Sequence, residues 1–302
     1  MGLKRTFLSA AAGLLVLTAV LLTGTSSRAD SVEVRPYLAF GADLTGSQKN
    51  EVMKLLGVMA KELADYETVE VTNAEEHKYL DTYLDKSVIG TRALSSVKIE
   101  EADAGAGITV ETHNISFCTE EMYTNALVTA GISDAVVTVA GPFEISGTAA
   151  LVGAMKAYGT MTGEEIDSES ADAATNELVL TGQLGESVGR EEAAQLVALV
   201  KNKVLEGDLS SSEEITEAVE EASEELKVSL TEDQKAELTK LMQKIGSLDL
   251  DIDNLKSQAQ GIYDKLKDMD IDLSEAKGVL AKIGDFFKEL FKGIMDFFKG
   301  LF

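Results

Sequence analysis

The chain has 302 residues and is strongly acidic, with 52 Asp and Glu against 27 Lys and Arg and a net charge of −25 at pH 7. Such a surface repels nucleic-acid phosphates, so we expect no nucleic-acid partner. The single Cys, Cys118, excludes an internal disulfide, and with only two His the chain cannot supply four nitrogen or sulfur ligands to a structural zinc ion. Stability must therefore come from core burial.

The N-terminus has the three parts of a secretory signal peptide. Lys4 and Arg5 supply positive charge, residues 7–22 are apolar, and a small-x-small triplet ending at Ala29 fits a cleavage site. The apolar stretch of about 16 residues is shorter than the ~20 that span a bilayer, which argues against the alternative of a retained anchor. We expect residues 1–29 to be removed and the protein to be secreted, extracytoplasmic and associated with the cell envelope.

Composition divides the rest of the chain into three parts. Residues 30–160 mix strand-like runs with helical periodicity, whereas 161–246 and 247–302 are mainly helical in pattern. The predicted fold class is α+β: an N-terminal mixed α/β domain followed by a mostly helical C-terminal region that ends in a long amphipathic helix.

The first predicted element is a strand from Val34 to Phe40. Thr45 and Gln48 then form a capping-box pattern, which predicts a helix that continues to about Ala64. A short strand from 69 to 72 and a helix from about 74 to 84 complete this part of the chain.

The second half of the first domain contains a predicted β-hairpin. Residues 96–100 and 108–112 are strand-like and flank a Gly-rich turn. Thr119 is expected to begin a helix, residues 135–140 form a buried strand, and Ser146 caps the helix that follows.

Two further capping boxes are predicted, one from Ser210 to Glu213 and one from Thr231 to Gln234. The remaining helices are expected at 164–181, 189–205, 213–227, 232–245, 254–268 and 274–302.

The last 28 residues predict an amphipathic helix with an unusually wide apolar face. Such a face has to be covered, and three partners are possible: a membrane surface, the protein's own helical region, or another protein, including a second copy of this chain. Interleaved Lys residues favour a membrane, whereas strict 3/4 spacing also suits helix packing. The residues expected to make the docking contacts are Ile283, Phe287, Leu290, Phe291, Ile294, Phe298 and Leu301.

Motifs for cofactors and metals are missing from the sequence. It contains no phosphate-binding GxxxxGK[ST] loop, no GxGxxG fingerprint and no HExxH pair, so no cofactor is predicted. Asp249, Asp251 and Asp253 resemble the start of a calcium loop. However, Asn254 replaces the turn Gly and Gln260 replaces the bidentate Glu, so we predict no metal site.

Two patterns could support a nucleophilic enzyme. Ser95 and Lys98 match SxxK, but the expected strand there and the missing SDN and KTG motifs argue against an acylase. Cys118 could act with His113 or His77 as its base. A lone Cys is more often a buried small hydrophobe, so we favour a structural role.

Four polar residues are candidates for a ligand groove in the first domain. They are Asn73, Thr91, Arg92 and Asn114. Two of them, Asn73 and Asn114, could alternatively orient the base of a Cys118 enzyme. Polar residues of this kind also serve turns and helix caps, and the sequence does not distinguish these roles.

Eight segments of the sequence form a set of distinctive motifs. They are Arg35-Pro36-Tyr37, Gly41-Ala42-Asp43-Leu44, Val71 to His77, Ile89 to Ser96, Thr112 to Ile115, Cys118-Thr119, Met122 to Gly131 and Ser146 to Leu151. These motifs resemble the YpuA-like family, exported proteins of unknown function from Gram-positive Bacillota. The resemblance is specific in the first domain and generic in the helical part, and it implies a cell-envelope location but no activity, catalytic residue or cofactor.

Together these patterns predict an exported envelope protein, more consistent with binding than with catalysis, that docks through its C-terminal helix. The alternative is a hydrolase or transferase that uses Cys118 with His113, or Ser95.

Overall fold

The computed structural model describes residues 35–163 and 166–248. A five-stranded sheet has the order β2-β1-β3-β5-β4. Its strands are β1 (Tyr37–Gly41), β2 (Glu67–Val71), β3 (Ser96–Glu101), β4 (Ile108–Ile115) and β5 (Ala135–Ile145). The pairs β1/β2 and β4/β5 are parallel, and β3 runs antiparallel to both β1 and β5. Four strands therefore end at one edge of the sheet, here called the carboxyl edge, where β3 begins.

Helices follow the strands and dominate the later part of the described chain, as the α+β prediction requires. A 3₁₀ turn at Ala60–Asp65 lies between the first helix and β2. The helices are α1 (Gly46–Leu55), α2 (Asn73–Leu80), α3 (Lys86–Ile89), α4 (Glu120–Thr129), α5 (Thr148–Thr162), α6 (Ser168–Val188), α7 (Arg190–Glu206), α8 (Ser212–Glu225) and α9 (Glu232–Gly246). Within 35–163 and 166–248, none of them is both long enough and apolar enough to cross a membrane.

The apolar residues form separate clusters on the two faces of the sheet and among the helices. Ala39, Val97 and Val139 lie on the face that packs against α4 and α5. The alternating residues Leu38 and Phe40 point to the other face, where α1 covers them, because successive strand residues face opposite ways. A further cluster joins α6, α7, α8 and α9.

The predicted hairpin between 96–100 and 108–112 is wrong. These segments are β3 and β4, but β5 lies between them and pairs with both. Residues 137, 139 and 140 of β5 are buried at 1% exposure or less, so this apolar strand gains burial from an interior position with a neighbour on each side. The Gly-rich turn is a local signal, whereas the strands that become neighbours in the sheet are decided by how well each strand is buried.

Several predicted boundaries also need correction. The helix expected to reach Ala64 ends at Leu55, because Gly57 adopts a positive φ of 70° and turns the chain. The helix expected at 74–84 is α2, which ends at Leu80, and the separate helix α3 begins only at Lys86. The cap before α5 is Gly147 and not Ser146.

One predicted capping box is displaced by one residue. Ser211, not Ser210, caps α8, and it bonds with Glu214. The predicted caps at Thr45, Thr119 and Thr231 are confirmed. The signal peptide, the aspartates at 249, 251 and 253, and the terminal amphipathic segment lie outside the described residues.

Candidate functional site at the carboxyl edge of the sheet

The segments that carry the family resemblance meet at the carboxyl edge. Gly41 ends β1 and Asp43 follows it, Asn73 begins the helix after β2, and Ser95 immediately precedes β3. Cys118 lies after β4, and Gly147 follows β5. Ligands of open α/β sheets bind outside the carboxyl ends of the strands, so this edge is the candidate site.

The centre of this edge is the buried carboxyl group of Glu76, whose residue is 2% exposed. Its Oε1 accepts a hydrogen bond of 2.6 Å from the Thr148 hydroxyl, and its Oε2 accepts one of 3.4 Å from Asn73 Nδ2. Burial raises the pKa of Glu76, while the Thr148 and Asn73 bonds oppose that change. The carboxyl group therefore ties α2 to the first turn of α5.

Glu76 was not predicted from the sequence as a site residue. The available signal was helical periodicity: Glu76 lies four positions before Leu80, and both are buried on the same face of α2. An acidic residue at an apolar position of an amphipathic helix indicates a buried carboxyl group with polar partners.

Two predicted residues, Asn73 and His77, converge on the carbonyl group of Gly90. Asn73 Nδ2 lies 3.4 Å from this oxygen and His77 Nε2 lies 3.1 Å from it. His77 Nδ1 is 2.5 Å from Asp81 Oδ1. The hydrogen bond to Asp81 raises the pKa of His77, against the opposing effect of desolvation.

The next two predicted residues, Thr91 and Arg92, are exposed at the same edge. Across the described ranges, the structure assigns Arg92 no hydrogen bond and no ion pair. The backbone directly after them is fixed, because the Ala93 N–H donates to Asp43 Oδ2 at 2.8 Å. Thr91 and Arg92 are therefore two exposed residues between Gly90 and Ala93, whose backbone groups are both held by hydrogen bonds.

Cys118 is enclosed at the base of this edge, with 2% of the residue exposed. The Tyr123 hydroxyl interacts with its thiol and donates to the Gly147 carbonyl at 2.6 Å. Burial raises the pKa of Cys118 to about 12. The thiol therefore stays protonated near neutral pH and is a poor nucleophile.

Ser95 is also buried, at 3% exposure, and its hydroxyl oxygen accepts a 2.9 Å hydrogen bond from the Ala150 N–H. The Ala150 N–H lies in the first turn of α5 and also donates to the Gly147 carbonyl at 3.0 Å, so the two acceptors share it. Ser95 leads into strand β3, whereas the SxxK chemistry needs its Ser at the start of a helix.

His113 and Asn114 are engaged elsewhere. His113 Nε2 pairs with Glu111 at 3.3 Å, and within the described ranges no hydrogen bond joins it to Cys118. Asn114, at a φ of 59°, donates to the Gly141 carbonyl at 3.1 Å. The described residues also contain no group of three or more His, Cys, Asp or Glu arranged to hold a metal ion.

A second buried polar cluster, not predicted from the sequence, joins α4, α6 and α7. Lys201 and Glu177 are both 0% exposed, and Lys201 Nζ lies 2.9 Å from Glu177 Oε1. Lys201 also donates to the Asn125 carbonyl at 2.9 Å and to the Thr129 hydroxyl oxygen at 3.1 Å. Thr129 in turn donates to Glu177. Burial lowers the pKa of Lys201 and raises that of Glu177, and the pairing opposes both changes.

Comparison with known proteins agrees with this arrangement of motifs. Residues 40–262 match a family described as a protein of unknown function, DUF1002. The chain is 39% identical over 281 residues to the uncharacterised protein YpuA of Bacillus subtilis (strain 168), covering 93% of this chain and 95% of that protein. No solved structure gives a significant match. The chain therefore belongs to the DUF1002 family, as the resemblance to YpuA-like proteins predicted.

Proposed function

We propose that this is an exported cell-envelope protein that acts by binding and not by catalysis. In this proposal the α+β part presents Thr91 and Arg92 at the carboxyl edge, and the C-terminal segment docks the protein on a membrane surface or on a protein partner, which includes a second copy of itself. The acidic net charge of −25 disfavours nucleic acid as the partner.

The observation that carries the proposal is the state of the two candidate nucleophiles. Cys118 is buried with its pKa raised to about 12, and the hydroxyl oxygen of Ser95 is engaged by the Ala150 N–H. The alternative of a hydrolase or transferase that uses Cys118 or Ser95 would need that group exposed and beside a base. His113, the base proposed for Cys118, pairs with Glu111 instead.

We expect Cys118 to react slowly with iodoacetamide in the native protein near neutral pH and rapidly after unfolding, because burial suppresses the thiolate. Cys118→Ala should lower the free energy of unfolding by about 1 kcal/mol, the usual order for a small buried deletion. Mass spectrometry of alkylated protein and denaturant unfolding measure the two effects. Fast native labelling would favour the enzyme alternative.

Docking by the terminal segment is tested by comparing the chain from Asp30 to Phe302 with one that ends at Leu273. If the partner is a membrane, we expect the shorter chain no longer to float with liposomes. If the partner is a second copy, we expect light scattering to show fewer copies per particle for the shorter chain. If the segment only completes the fold, neither changes while the unfolding temperature drops, and the docking proposal fails.

A matched pair of substitutions separates the contribution of the apolar face to docking from the effect of any substitution in the segment. Phe291→Ser removes an apolar-face side chain, and Lys292→Ser introduces the same residue at the next position on the polar face. Apolar docking predicts that Phe291→Ser weakens flotation or association much more than Lys292→Ser does. Equal losses would contradict docking through this face.

A further inference from the structure

Among the described residues, the two ring nitrogens of His77 each face a hydrogen-bond acceptor. Nδ1 is 2.5 Å from Asp81 Oδ1, and Nε2 is 3.1 Å from the Gly90 carbonyl oxygen. An ionised carboxylate and a carbonyl group only accept hydrogen bonds, and a neutral imidazole has a single N–H. Only the doubly protonated ring can donate to both at once, so this geometry favours an imidazolium.

We propose that protonated His77 is a latch that fastens residues 86–93 to α2, and that loss of its proton releases this segment. Asp81 orients and charges the ring from the end of α2, and the Gly90 carbonyl is the group that the latch holds. After deprotonation the one remaining N–H stays on Nδ1, because the Asp81 carboxylate is a stronger acceptor than a neutral carbonyl group. Nε2 then presents a lone pair to the Gly90 carbonyl oxygen, so the hydrogen bond to Gly90 is lost.

The segment also has attachments that do not depend on the His77 proton, and they limit the effect of release. Asn73 Nδ2 lies 3.4 Å from the same Gly90 carbonyl oxygen, and Ile89 is buried in a cluster with Leu80 and Val179. Just before the segment, the Tyr83 hydroxyl donates to Asp172 of α6 at 2.7 Å. At the other end the Ala93 N–H donates to Asp43 at 2.8 Å. Gly90 is the point held between them, and it directly precedes the exposed Thr91 and Arg92. The latch therefore governs how these two residues are presented at the carboxyl edge without unfolding the domain.

The charges around the ring agree with an imidazolium. Asp81 raises the pKa of His77, and Lys86 of α3, which lies 3.8 Å from Asp81, opposes this. Glu76, the neighbouring residue of α2, interacts electrostatically with the His77 ring.

The other helices against which α2 packs are α5 and α6. Lys156 of α5 pairs with Glu75 at 2.6 Å. In α6, Glu177 pairs with Lys201 and Asp172 with Lys244, and the helix also carries Glu169 and Glu186. The charged groups that act on the pKa of His77 are Asp81 and Lys86.

The direction of the pH effect follows from the raised pKa of His77. The folded state binds the proton more tightly than the unfolded state, so the latch stabilises the protein fully below the ordinary value of 6.5. This stabilisation is lost as the pH rises through the folded pKa. The expected behaviour is a fastened segment in acid and a released segment in mild alkali.

Proton NMR of the full protein tests the latch directly, because only two His contribute titrating ring signals. His113→Gln assigns them and serves as the control. We expect His77 to titrate above 6.5, its ordinary value, and Asp81→Asn to lower that pKa. A wild-type His77 that titrates at or below its ordinary value would overturn the proposal.

Hydrogen exchange measures the release itself. His77→Gln keeps a neutral hydrogen-bonding side chain, so its amide protection at residues 88–93 should depend little on pH. At about pH 5.5, hydrogen exchange of these amides should be several-fold slower in the wild type than in His77→Gln. This difference between the two proteins should disappear by about pH 9. A ratio that does not change with pH would show that His77 is merely structural. If His77→Gln fails to fold, the same comparison is made with Asp81→Asn.

Discussion

Lys201→Met is expected to lower the free energy of unfolding by about 3–5 kcal/mol, because it leaves the Glu177 carboxyl group buried without its cationic partner. Lys201 and Glu177 are both fully buried, so water cannot replace the lost contact. Chemical denaturation near neutral pH, followed by far-UV circular dichroism, measures the loss.

A double variant separates the contribution of the ion pair to the free energy of unfolding from the destabilisation that one unpaired buried charge causes. Lys201→Met with Glu177→Gln removes both charges and keeps an acceptor for the Thr129 hydroxyl, so we expect it to be more stable than Lys201→Met alone. Lys235→Met is the control, since Lys235 pairs with Glu220 and Glu232 at the surface, and its unfolding midpoint should not change measurably. A double variant as unstable as the single one would contradict the role of the unpaired carboxylate.

Gly147→Ala is the second substitution for which we expect a large loss of stability. Gly147 has a φ of 96°, and a Cβ there would lie 2.5 Å from the Tyr123 hydroxyl oxygen and 2.6 Å from Ile115 Cγ2. Backbone strain of about 1–3 kcal/mol adds to an overlap of roughly the same size. We also expect the overlap to open the packing around Cys118, so alkylation of the thiol should become faster because burial is what raises its pKa.

The matched control is Gly131→Ala. Gly131 also has a positive φ, 83°, but a Cβ there meets nothing within 4 Å. It therefore carries the backbone strain without the overlap, and the difference between the two variants measures the packing at the base of α5. If both variants lost the same free energy of unfolding, the side chains around Gly147 would have rearranged to accept the added Cβ without further destabilisation.

Local features were predicted well because their partners are close in sequence. The Thr45, Thr119 and Thr231 caps bond to backbone N–H groups only three residues away, so residue type and spacing suffice to predict them. The α+β class followed from periodicity, and the family followed from the motifs around Asn73 and Gly147. Asn73 and His77 were also predicted as site residues, although their shared partner, the Gly90 carbonyl, was not.

The features that the sequence did not reveal depend on partners far along the chain. Strand β5 separates β3 from β4 because its apolar residues are buried best at that position, a choice that no local turn signal determines. Glu76 meets Thr148 across 72 positions, and Lys201 meets Glu177 across 24. The raised pKa of Cys118 arises from the burial that the assembled elements impose. By itself the sequence determined the helix caps at Thr45, Thr119 and Thr231, the fold class and the family, since these depend on spacing along the chain. Only the tertiary structure decided strand order, the buried charge pairs and the directions of the pKa shifts, because each depends on which distant segments exclude water together.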